Sequence, residues 1–126
     1  MLFRRLFVEE TKEIAAWIRA LCEAGYLVVL FGSRARGEAR IDSDWDLLVV
    51  GEAPPPEPPN DLAQVVYLRQ EEVEGEIERF NTLAVDAFYE GKLVCGPQEL
   101  FQRWRELVRR RTAGYIKTRD GWFKAG

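Results

Sequence analysis

Six apolar residues in a row, Tyr26-Leu27-Val28-Val29-Leu30-Phe31, closed by Gly32, constrain this chain more than any other stretch. A run that short and that uniformly apolar reads as a β-strand buried on both faces, with glycine ending it. A second run, Asp46-Leu47-Leu48-Val49-Val50, closes at Gly51. The segment between the two, about a dozen residues, is too short for a parallel crossover carrying a full helix. The strands are therefore expected to run antiparallel, which brings Ser33, at the end of the first, close to Asp44, at the start of the second.

The rest of the chain reads as helices and strands around this pair. Glu9 to Ala24 is expected to be a helix, because Ile14, Ile18, Leu21 and Cys22 share one face and Gly25 is placed to stop it. Glu9 and Glu10 then fall in its first turn, where the helix dipole favours carboxylates. Ser33 to Gly37 reads as one or two helical turns. Ala53 to Pro59 holds five prolines and can only be an extended surface connection. Leu62 to Leu68 reads as a third strand, and Gln70 to Arg79 as an acidic helix interrupted by Gly75. Asn81 to Gly91 has a cap at one end and a stop at the other, which predicts a short helix. Lys92 to Cys95 reads as a short strand or turn. Pro97 to Arg111 is a helix with proline at its first position and Leu100, Phe101, Trp104, Leu107 and Val108 on one stripe. The tail from 112 to 126 has no assignable element; Trp122 and Phe123 there cover a core edge or form an oligomer contact.

Composition removes whole classes of chemistry. With no histidine among 126 residues, histidine-containing zinc sites, Ser-His-Asp triads and Cys-His nucleophiles are excluded. Acid–base and metal chemistry must come from carboxylates. A net charge of -3 gives no general attraction to nucleic acid or anionic membrane. The arginines at 103, 105, 109, 110 and 111 read as a solvated helix face rather than a nucleic-acid surface. No apolar run approaches the roughly 20 residues of a membrane helix, and residues 1–8 lack a signal-peptide pattern. Cytoplasm is the expected compartment, with Cys22 and Cys95 as two free buried thiols.

The chemistry concentrates in Gly32-Ser33-Arg34-Ala35-Arg36-Gly37 and Ser43-Asp44-Trp45-Asp46-Leu47. Gly32 lets the backbone come close to a ligand. Free N–H groups and a hydroxyl at Ser33 make a site for phosphate oxygens. Asp44 and Asp46, two apart at the start of a strand, share a face, and Trp45 between them points to the opposite face for packing. Two carboxylates on one face attract a hard cation such as magnesium, which also takes phosphate oxygens as ligands. A phosphate cradle beside a carboxylate pair is a metal–nucleotide site.

These residues also carry a resemblance. Gly32-Ser33, Ala35-Arg36-Gly37 and then Ser43-Asp44, Asp46-Leu47 resemble the minimal nucleotidyltransferase family of the DNA polymerase β-like nucleotidyltransferase superfamily. The match runs from about Tyr26 to Val50. The resemblance implies a magnesium-dependent enzyme: Asp44 and Asp46 are catalytic and hold the metal, while Gly32, Ser33 and Arg36 bind the nucleotide. It implies transfer of a nucleoside monophosphate from a nucleoside triphosphate to an acceptor hydroxyl. The expected architecture is a single α/β (α+β) domain, core about 8–95, with a three- to four-stranded mixed sheet flanked by helices. The family usually supplies a third carboxylate from the next strand. Here Gln64 stands at that place, and Asp86 completes a triad only if its segment is a strand. The alternative function is a weakly active or inactive nucleotide-binding regulatory module working beside a helical partner protein, as in toxin–antitoxin pairs.

Overall fold

The computed structural model describes residues 2–125, with side chains from residue 8 onward. Its elements are α1 (Leu2–Glu23), β1 (Leu27–Phe31), β2 (Trp45–Val50), β3 (Ala63–Leu68), α2 (Gln70–Glu78), α3 (Thr82–Glu90), β4 (Lys92–Cys95), α4 (Gln98–Arg111), β5 (Tyr115–Thr118) and β6 (Gly121–Lys124). The first four strands form one mixed sheet in the order β3-β2-β1-β4, giving the expected α+β architecture. β1 pairs antiparallel with β2, Phe31 lying opposite Asp46, and antiparallel with β4. β2 and β3 run parallel, with Asp46 beside Gln64. The long proline-bearing connection makes the parallel pairing possible without a helix.

Strand alternation divides the core into two layers. Val28, Leu47 and Val49 face α1, where Ile14, Ile18 and Leu21 cover them. Val29, Phe31, Leu48 and Val50 face the other way, into a cluster with Val73 and Ile77 of α2, Ala84 and Phe88 of α3, and Phe101, Trp104 and Val108 of α4. The apolar stripe expected on the late helix is thus the stripe that meets the sheet. Asn81 caps α3 as expected, its side-chain oxygen accepting from the backbone N–H of Leu83 and Ala84.

Several expectations are corrected. α1 begins at Leu2, so Glu9 and Glu10 lie well inside it rather than at its dipole end. Residues 33–37 form hydrogen-bonded turns instead of a helix: their backbone bonds are of mixed span, Arg36 to Gly32, Gly37 to Arg34 and Glu38 to Ser33, and left-handed glycines, φ +73° at Gly32 and +76° at Gly37, bound the stretch at both ends. α2 runs through Gly75 without interruption. Pro97 is the N-cap of α4, with Gln98 the first helical residue. Cys22 and Cys95 are not free thiols; they form a disulfide between the end of α1 and β4, with Cα atoms 5.8 Å apart. The tail, unassigned from sequence, is the β5–β6 hairpin. Trp122 packs edge-on against Phe80 and Tyr89, and Tyr115 lies 4.9 Å from the Phe80 ring. No described helix is long and apolar enough to cross a membrane.

Candidate functional site

The end of β1 and the start of β2 lie side by side, which brings Gly32 directly against Asp46. A Cβ at position 32 would strike the Asp46 carboxylate, and the left-handed φ there also favours glycine. Glycine is thus required twice at this point, by conformation and by space. The turn after it is closed by backbone bonds from the Arg36 N–H to the Gly32 carbonyl (3.1 Å) and from the Glu38 N–H to the Ser33 carbonyl (2.9 Å). Ser33 is half-buried at the mouth of this turn.

Asp46 is half-buried on the face covered by α2, α3 and α4, while Asp44, just before β2, is exposed. Trp45 packs on the α1 side, as its position between the aspartates requires. Burial pushes the Asp46 carboxyl above the usual range, and the negative charge of Asp44 pushes it further. Arg36 pulls it back, and Glu90 adds to the push. Asp46 therefore sits in a site rich in negative charge that a cation would relieve.

Arg36 divides its guanidinium between two other carboxylates, Glu38 at 3.1 Å and Glu90 at 2.9 Å. Arg34 does a different job. Its guanidinium donates to the carbonyls of Ser43 (2.8 Å), Arg40 (3.4 Å) and Ile41 (3.5 Å), and it lies 4.4 Å over the Trp45 ring. It pins the loop that delivers Asp44, and burial lowers its pKa against the pull of Asp44. Ser43 closes the same loop, its hydroxyl accepting from the Arg40 N–H at 2.7 Å.

Gln64 lies beside Asp46 on the neighbouring strand, with its side chain exposed and donating to the Asp61 carbonyl at 3.1 Å. Asp86 is on a helix, not a strand. It accepts from Lys117 Nζ at 2.9 Å and Trp122 Nε1 at 2.8 Å, holding the hairpin rather than facing the other aspartates. Among the described residues no group of three or more carboxylates or cysteines is arranged to hold a metal ion. Two aspartates fit a magnesium ion only where a ligand's phosphates and water complete its oxygen shell. Glu90 was missed by sequence reading, because only the packing of α3 beside β1 brings it near Asp46.

Residues 8–112 match the family model described as "Nucleotidyltransferase domain". No curated protein and no solved structure matches the chain.

Proposed function

The chain belongs to the nucleotidyltransferase domain family, and from that premise we propose that it moves a nucleoside monophosphate from a magnesium-bound nucleoside triphosphate to an acceptor hydroxyl. The observation that carries this reading is the close approach of the Gly32 turn to Asp46, which sets a turn suited to phosphate beside a carboxylate suited to a cation. Gly32 and Ser33 bind phosphate oxygens through backbone N–H groups and the hydroxyl, and Arg36 adds positive charge beside them. Asp44 and Asp46 would hold magnesium. Magnesium, when bound, polarises the phosphate and offsets charge on the departing pyrophosphate. The chain's own part is to fix the triphosphate so that the acceptor oxygen bonds to the α-phosphorus as the bond to the pyrophosphate oxygen breaks. The hydroxyl proton leaves to solvent, since the residue beside Asp46 on β3 is a glutamine and accepts no proton.

That glutamine favours a second reading, in which nucleotide is bound but transfer is slow. A module of this kind working with a helical partner protein differs from an efficient enzyme in turnover alone. Magnesium-dependent pyrophosphate release across a set of hydroxyl acceptors tests the proposal. Release that needs both magnesium and Asp44 supports transfer; binding without release under every acceptor supports the module.

A further inference from the structure

The β5–β6 hairpin lies beyond the stretch that matches the family, which ends at residue 112. It is nevertheless firmly attached, by Asp86 and by the rings of Phe80, Tyr89, Tyr115 and Trp122. Its tip meets the main domain at a cavity of about 370 Å³ lined by Arg36, Glu38, Glu90, Lys117, Thr118 and Arg119.

The strand order fixes which flank of the site this cavity occupies. Across the sheet, Gln64 on β3, Asp46 on β2 and Gly32 at the end of β1 follow one another. Glu90 comes next, two residues before Lys92, which pairs with Leu30 from the outer side of β1. The Arg36–Glu90 pair thus lies on the β4 side of the Gly32-Ser33 turn, within electrostatic reach of Asp46, and the cavity lies on the flank away from Gln64. A triphosphate whose α-phosphate sits at the aspartates and whose tail follows this turn runs into the cavity. The Gln64 flank is left for the acceptor.

We propose that the hairpin completes the triphosphate site, with Lys117 and Arg119 joining Arg36 to bind the terminal phosphate of the nucleotide. This rests on the function proposed above. Arg119 forms no ion pair among the described residues and stands exposed at the cavity rim. Lys117 is fixed in place by Asp86 yet keeps donors for a second anion. Arg36 reaches the cavity with its guanidinium held by Glu90, whose side chain is only 14% exposed. Its other partner, Glu38, is exposed and solvent-screened, so a phosphate group displaces it readily.

The test compares a nucleoside triphosphate analogue with the matching diphosphate, each with magnesium, by calorimetry on the full chain. The unaltered protein is expected to prefer the triphosphate by roughly tenfold or more, the scale of charge-assisted contacts to one phosphate. Arg119→Ala and Lys117→Gln should each shrink that preference by weakening the triphosphate alone, and Lys117→Arg should restore it. An unchanged preference in both variants, an equal loss for both nucleotides, or no preference in the unaltered protein overturns the inference. If triphosphate binding still requires Asp44 in such a case, the proposed function stands without the hairpin. If the unaltered protein binds no triphosphate, the function falls and the hairpin site with it.

Discussion

Gly32 and Asp46 touch across the β1–β2 pair, leaving no room for a side chain at position 32. The backbone turn after β1 and the Asp46 carboxylate are therefore one packed unit. Gly32→Ala should cost about 1–2 kcal/mol from the left-handed φ alone, and more from displacing the carboxylate. Urea unfolding reads the first effect, and loss of triphosphate affinity reads the second. A variant of normal stability and normal affinity would show that the turn tolerates a side chain.

Asp46 makes a pH prediction with a definite sign. Its folded pKa is raised, by burial first and by Asp44 second, so the folded protein holds this proton more tightly than the unfolded chain does. Above the folded pKa the ionised group therefore costs stability. That cost disappears as pH falls through the folded pKa toward the ordinary aspartate value, about 4. Asp46→Asn should raise the stability of metal-free protein near neutral pH and remove this part of the pH dependence. Magnesium favours the charged form, so magnesium–triphosphate affinity should weaken as pH falls through the same raised pKa. Unfolding midpoints against pH for both proteins check the first claim, and calorimetry at two pH values checks the second.

The disulfide between Cys22 and Cys95 closes a loop with a sequence separation of 73. Removing a link of that span releases considerable chain entropy in the unfolded state, and the expected loss is roughly 2–4 kcal/mol. Cys95→Ser, or reduction of the unaltered protein, should lower the denaturant midpoint by a matching amount. A disulfide persists most readily in oxidising surroundings, which bears on the cytoplasmic expectation. No change on reduction would mean that packing of α1 alone holds that edge of the sheet.

Gln64 lies in register with Asp46, where a further carboxylate would strengthen a metal site. Gln64→Asp should raise the rate of pyrophosphate release with a suitable acceptor while leaving triphosphate affinity within about threefold, since the proposed phosphate contacts lie on the opposite flank of Asp46. A rate that is unchanged, or an affinity that collapses, would show that Gln64 is not at the acceptor side.

How far the fold was legible depended on how local each signal was. β1 and β2 were readable because an unbroken apolar run has few homes outside a buried strand, and their short connection fixed their relative direction. α3 was readable from Asn81 and Gly91 at its ends, but Asp86 stayed open as a third carboxylate until the helix and its bonds to Lys117 and Trp122 took it from the site. The hairpin was not, because its four-residue strands are too short for a periodic signal and its anchor, Asp86, lies some thirty residues earlier. The disulfide joins residues whose proximity depends on the whole sheet. Asp44 and Asp46 were legible as a pair from spacing alone. Glu90 was not, because nothing in Tyr89-Glu90-Gly91 reveals that α3 packs beside β1 and brings this carboxylate within reach of Asp46. Arg34 was no more legible: nothing in the Gly32-to-Gly37 stretch reveals that packing spends its guanidinium on the carbonyls of its own loop.

The most direct test of the account is calorimetric titration of a nucleoside triphosphate analogue into the full chain, with and without magnesium, for the unaltered protein and Asp44→Ala. Asp44 is exposed and outside the core, so its loss should leave the fold intact. The account predicts binding that strengthens markedly with magnesium in the unaltered protein, and no such gain in the variant. Equal affinity in both proteins, with or without magnesium, would contradict it.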